Sequence, residues 1–213
     1  MDVTYESLLY SAVVSDALDA LGYRQQCARD GLNPVTVSQP LVGRCRTTLW
    51  GDLFHSDPEP YAKELQAVVS LMSGDVMIAA AHGSMRSGIW GELLTTAAMN
   101  RGCVGAVVDG AVRDVAKMRT YGFPVYAHGK CPLDSQHRQR VCDYDVPVEI
   151  KGVLVRPGDL VVAEEDGIVF VPQAVEQDVL EFALKKVKDE KRVRDAIREG
   201  MLATEAYERF CVL

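Results

Sequence analysis

The chain has 213 residues, 48% of them hydrophobic and 25% charged, with a formal charge of −7. That length and balance suit one well-buried core and exclude a disordered or fibrous chain. The acidic excess disfavours nucleic acid or an anionic membrane surface as principal partner, since both call for a basic footprint, and an anionic ligand would have to be met by local cations or helix ends.

In chain order, residues 5–21 read as an apolar-striped helix closed by Gly22. Pro34, Pro40 and Gly43 then punctuate the entry to a strand ending near Leu49. A helix follows over 61–72, and a buried strand over 76–81 leads through the loop HGSMRSG to a helix opened by Gly91. Leu93, Leu94, Ala97 and Ala98 recur there at helical spacing, with Gly102 placed as its C-terminal cap. Val104, Ala106, Val107 and Val108 form a short apolar run, the pattern of a strand buried on both faces. Asp109 and Gly110 predict a turn, and VRDVAKM a second helix with Arg113 and Asp114 near its first turn. Short strands are expected over 124–127, 146–150, 153–155, 160–163 and 168–171, joined by turns such as KG, PGD and EDG. Residues 174–198 carry Val179, Phe182, Ala183, Val187, Val193 and Ile197 as an apolar stripe on a long helix. With no repeat or linker, the expectation is an α/β fold in a single domain, 1–213, with 174–213 as a helical C-terminal extension.

No run approaches the ~20 apolar residues of a membrane span. The opening MDVTYESLLY has no basic stretch followed by an apolar one, so a cytoplasmic protein is expected. The six cysteines lack a CxxC pair or a nearby His pattern, which argues against zinc and against a disulfide framework.

The chemistry concentrates in residues 88–118. The first amides of a helix have no partner within it and carry positive partial charge, so they suit a carboxylate or phosphate where the backbone is accessible. Gly91 supplies that access. An Arg fork holds a carboxylate or a developing enolate oxygen, and a neighbouring Asp is a hard ligand suited to Mg²⁺ or Mn²⁺. Simpler readings stand beside these: a surface ion pair for Arg113 and Asp114, a first-turn acid for Glu92, an Asx turn for Asp109. His82 and Arg86 are candidates for a substrate's distal carboxylate. Gly102, Gly105 and Gly110 do not make a dinucleotide loop, because two of them precede the strand.

The segment resembles the active-site region of the RraA-like proteins, which include divalent-metal class II pyruvate aldolases acting on 4-hydroxy-4-methyl-2-oxoglutarate and 4-carboxy-4-hydroxy-2-oxoadipate. SDALDALG, GRCRTTLWGD, GFPVYA, VRPGDLVVAEEDGIVFVP and the helical tail through EAYERF follow the same family order, so the resemblance covers nearly the whole chain. It implies a layered α-β-β-α sandwich of the swivelling phosphohistidine-domain type, with a mixed sheet and C-terminal helices at subunit interfaces of a homotrimer or hexamer. It further implies that Asp114 ligates Mg²⁺ or Mn²⁺, that Arg113 holds pyruvate and stabilises its enolate, and that the amides of Gly91, Glu92, Leu93 and Leu94 receive the carboxylate. Glu190 of a neighbouring subunit would act through the metal's water shell. Glu92 stands where the characterised aldolases carry Asp, and joins Arg113 and Asp114 as a catalytic candidate. The implied reaction releases pyruvate from a 4-hydroxy-2-oxo acid, with oxaloacetate decarboxylation through the same enolate. No Schiff-base lysine is required. The alternative is a regulator that binds an RNA-degrading enzyme, without catalysis.

Overall fold

The computed structural model describes residues 8–28 and 31–212. In chain order its strands are β1 (Asn33–Pro34), β2 (Leu41–Asp52), β3 (Asp75–Trp90), β4 (Gly105–Val112), β5 (Val125–Lys130), β6 (Gln139–Tyr144), β7 (Val148–Ile150), β8 (Val153–Val155), β9 (Leu160–Glu164) and β10 (Gly167–Val171). The helices are α1 (Ser11–Ala20), α2 (Ala62–Val69), α3 (Glu92–Asn100), α4 (Val115–Thr120), α5 (Glu176–Arg198) and α6 (Ala203–Phe210). No helix among the described residues is long and apolar enough to cross a membrane.

The apolar runs at 76–81 and 104–108 make the centre of a mixed sheet. Its order is β1-β5-β4-β3-β2-β9-β10, and β6 joins through β2. β2, β3, β4 and β5 run parallel, while β1, β6, β9 and β10 pair antiparallel with their neighbours. Side chains alternate across a strand, and both faces here are covered. Met77, Ala79 and Ala81 join a core with α2, α3 and α4, whereas Val76, Ile78 and Ala80 pack with the β7–β8 hairpin and with Val161, Ala163, Ile168 and Phe170. The opposite face of β9 and β10, with Leu160, Val162, Val169 and Val171, meets α1 and the start of α5. Helices, sheet, folded-over strands and helices thus form successive layers, as the α/β expectation required.

Several boundaries differ from the sequence reading. The first helix begins at Ser11, whose amide and hydroxyl both donate to Glu164 Oε1 at 2.7 Å; the portion expected at 5–7 lies outside the described residues. The loop expected over 82–88 is the continuation of β3, which reaches Trp90 through register shifts against β4 and a positive φ at His82 and Gly83. Asp109 and Gly110 are not a turn but part of β4. A Cβ at Gly110 would lie 3.1 Å from Ala81 Cβ and 3.2 Å from the Ser84 carbonyl, so this glycine permits close strand packing. β6 and β1 were not anticipated. The stripe on α5 divides: Val179 and Ala183 are buried against α1, whereas Phe182 and Ile197 remain exposed.

Asp109 is buried, and Lys151 Nζ lies 3.1 Å from its Oδ1, an ion pair without hydrogen-bond alignment. Lys151→Met would leave that carboxylate without its cation. Because Lys151 is partly exposed, the expected loss is about 2 kcal/mol, below the range for a fully buried pair, and is checked by urea unfolding at neutral pH.

Candidate active site

The parallel strands β3 and β4 end side by side. Trp90 leads into Gly91, the N-cap of α3, and Val112 leads into Arg113 and Asp114. The Arg113 amide donates to the Trp90 carbonyl at 2.8 Å, which locks the two strand ends together. The carboxyl ends of strands in an open α/β sheet are where crossing connections leave a crevice. Here a cleft of about 340 Å³ is lined by Arg113, Asp114, Gly91, Glu92, Leu93 and Leu94, and on its other wall by Tyr61, Glu64, Leu65, Asp134 and Ser135. Arg113, Asp114, Gly91, Glu92, Leu93 and Leu94, all expected at the site, therefore face one cavity, whereas Glu190, His82 and Arg86 do not.

Arg113 and Asp114 immediately precede α4, beside its first turn as the sequence reading placed them. Asp114 is the N-cap residue, at φ 55° and ψ 27°. That left-handed conformation is one Asp tolerates better than most non-glycine residues, and it is held at a modest cost. It turns the carboxylate back toward α3, where the Glu92 amide approaches Oδ2 at 3.4 Å. Gly91 has no side chain to cap α3, which leaves the Leu93 and Leu94 amides available. Its lack of a side chain is also required by space. A Cβ there would lie 2.9 Å from Asp114 Oδ2 and 3.0 Å from Arg113 Cγ.

The Arg113 guanidinium is held from both sides. Nη1 pairs with Asp134 Oδ2 at 2.6 Å, and Nε lies 3.8 Å from Asp114 Oδ2. Asp134 in turn accepts hydrogen bonds at Oδ1 from the Tyr61 hydroxyl, 2.8 Å, and the Gln136 amide, 2.7 Å. Burial favours its neutral form, but the Gln136 amide, Tyr61 and Arg113 outweigh that and hold the carboxyl below its ordinary range. Burial, then the hydrogen bond to Asp134, pushes the Tyr61 hydroxyl up to about 12. It remains a proton donor at neutral pH. The triad orients the arginine fork toward the cleft.

Glu92 is engaged elsewhere. Its Oε1 accepts from the Tyr121 hydroxyl at 2.7 Å and its Oε2 lies 3.9 Å from Lys117 Nζ, tying α3 to α4. Glu190 is on α5, bonded to the Tyr10 hydroxyl and near Lys186 and Arg194, and it does not line this cleft within the chain. His82 and Arg86 do not line it either. Arg86 donates to the Leu53 carbonyl at 2.9 Å and sits 4.3 Å over the Phe54 ring.

Tyr61, Glu64 and Asp134 were not singled out from the sequence. For Glu64 a signal existed: it shares the inner face of α2 with Ala67 and Val68, where helical spacing calls for an apolar side chain. Asp134 carried none, because its place depends on the Gly88 amide donating to the Leu133 carbonyl across the fold.

Four carboxyl groups and one guanidinium line the cleft. Such a lining repels a dianion unless a cation joins it. No group of three His, Cys, Asp or Glu among the described residues could enclose a metal. The donors instead suit a hard, hydrated ion such as Mg²⁺, which binds through one or two carboxylates and keeps water or substrate oxygens as its other ligands.

The family model described as RraA-like, Aldolase/RraA, matches residues 11–170. A Halalkalibacterium halodurans protein named "Putative 4-hydroxy-4-methyl-2-oxoglutarate aldolase" is 30% identical over 207 residues, spanning 96% of this chain and 92% of its own. The 4-hydroxy-4-methyl-2-oxoglutarate aldolase of Thermus thermophilus is 34% identical over 101 residues, 47% of this chain and 61% of that protein. Among solved structures, RraAS2 of Streptomyces coelicolor, described as an unusual member of the RNase ES inhibitor RraA family, superposes with a TM-score of 0.79 at 30% identity, over 91% of this chain and 97% of that one. With three quarters of its length under the family model and its mixed α/β fold shared, the chain belongs to the RraA-like family.

Proposed function

We propose that this protein is a divalent-metal-dependent lyase that cleaves the C3–C4 bond of a 4-hydroxy-2-oxo acid to release pyruvate, and that it decarboxylates oxaloacetate through the same enolate. The observation that carries this reading is the joint placement of Arg113, Asp114 and the start of α3 around a cleft rich in carboxylates. The aldolase names of its relatives support it.

Asp114 would hold Mg²⁺ or Mn²⁺, with Glu92 near it. When bound, the ion supplies Lewis-acid polarisation of the ketone. Arg113, fixed by Asp134, presents its remaining N–H groups to the carboxylate and to the oxygen that gains charge as the carbon–carbon bond breaks. The amides of Leu93 and Leu94 receive the carboxylate at the positive end of α3. Leu65 and Leu94 give that oxygen an apolar surround in which these dipoles act more strongly than in water.

The test is purified protein incubated with oxaloacetate and Mn²⁺, with and without chelator, while pyruvate is followed. Pyruvate formation that requires the metal is expected. Its absence would favour a non-catalytic regulator of an RNA-degrading enzyme, the activity class attached to the Streptomyces structure.

A further inference from the structure

Glu64 is the acid in the cleft that the reading above leaves without a task. It is only 7% exposed. Behind it, Trp50, Val68, Met77, Trp90 and Val141 line an apolar recess, and in front of it lies the cleft with Arg113 and Asp114. Its Oε2 is shielded from solvent and has no hydrogen-bond partner among the described residues. A buried carboxyl group with an unpaired oxygen costs stability that an apolar side chain on the same helix face would not. Structure alone therefore gives no reason for an acid here.

The environment also selects its protonation state. Burial first, then the negative charge of Asp134, opposed by Arg113, pushes the Glu64 carboxyl up to about 8. At neutral pH it is mostly neutral, and so holds a proton against the cleft wall. An apolar wall on one side and a reaction cleft on the other is the setting that lets a carboxylic acid serve as a proton donor at neutral pH.

We propose that Glu64 is the proton donor to C3 of the pyruvate enolate. The proposal rests on the lyase reading and supplies its missing acid. When oxaloacetate loses carbon dioxide, the C3–C4 electron pair stays with the three-carbon fragment as an enolate. The Glu64 O–H bond then breaks, the enolate's carbon–carbon π pair forms the new C3–H bond, and the ketone returns. The Glu64 carboxylate left behind regains a proton from water. In aldol cleavage the fraction of Glu64 that is ionised takes the proton of the C4 hydroxyl and then returns it to C3, so no net proton is consumed.

The test follows exchange of the pyruvate methyl hydrogens in D₂O with Mg²⁺ by proton NMR, beside oxaloacetate decarboxylation and binding of Mg²⁺ with oxalate, an enolate mimic. Wild-type protein is expected to exchange the methyl hydrogens. Glu64→Gln, near-isosteric and neutral like the acid it replaces, is expected to lower exchange at least ~10²-fold while oxalate affinity stays within about threefold. Glu64→Asp, which withdraws the carboxyl by one methylene, is expected to lose at least ~10-fold and guards against a folding defect in the amide variant. Wild-type exchange in either folded variant would overturn the role of Glu64 and leave the lyase reading standing, as would parallel loss of oxalate binding. A wild-type protein that neither exchanges nor decarboxylates would remove both.

Discussion

Asp114→Asn is expected to abolish metal-dependent pyruvate release, lowering kcat/KM by about 10³-fold or more, as loss of several kcal/mol of charge stabilisation demands. The substitution isolates charge from shape. Asn tolerates the left-handed backbone found at this position as well as Asp does, so α4 keeps its start and the thermal midpoint is expected to move by only a few degrees. The amide side chain can still meet the Glu92 N–H through its oxygen. It cannot supply the negative charge that a hard cation requires. Calorimetric titration with Mn²⁺ checks the claim directly, since the variant should lose the binding isotherm together with turnover. Full Mn²⁺ affinity in Asp114→Asn would place the cation elsewhere. Arg113→Lys makes the contrasting case: it keeps the charge but loses the fork, so KM should rise while Mn²⁺ binding persists.

That contrast depends on two residues whose identity and position at the start of α4, but not their partners, could be read from the sequence. The spacing around Gly91 and the run ending at Val108 located α3 and the core of β4 correctly, because strong periodicity and a glycine cap speak through local backbone geometry. Gly102, at φ 83°, ends α3 as its position implied. What escaped was whatever a long-range contact decides. Asp109–Gly110 has turn chemistry, yet the packing of Ala81, Ser84 and Ile89 against Gly110 and the Lys151 ion pair draw it into β4. Residues 82–88 look like a loop because they are polar and glycine-rich, and they become strand only by irregular pairing with β4. QRVCDY has little apolar alternation, and β6 exists because β2 offers it an open edge. The arginine's partner Asp134 and the buried acid Glu64 belong to the same class, since each acquires its role from an element distant in sequence.

Gly91→Ala is expected to inactivate the site while sparing the fold, because of which atoms the added methyl group meets. The backbone at Gly91 is extended, φ −156°, so alanine adopts it without strain. The new Cβ would lie 2.9 Å from Asp114 Oδ2, 3.0 Å from Arg113 Cγ and 3.5 Å from Arg113 Nε. These are parts of partly exposed side chains, and relief comes from displacing the carboxylate and guanidinium from their pairings rather than from moving a strand. A displacement of roughly an ångström in such groups is enough to lower a rate by about 10²-fold. The expected result is therefore a loss of that size in pyruvate release, with Mn²⁺ affinity weakened in step and urea unfolding nearly unchanged. Gly88→Ala supplies the control of opposite sign. There the methyl group would meet the Cys131 carbonyl at 2.5 Å and the Arg113 amide at 3.1 Å, backbone atoms that cannot swing away, so stability falls together with activity. If Gly91→Ala instead unfolded as readily as Gly88→Ala, the methyl group would be pressing on the frame and not on the two side chains, and Gly91 would owe its place to packing alone.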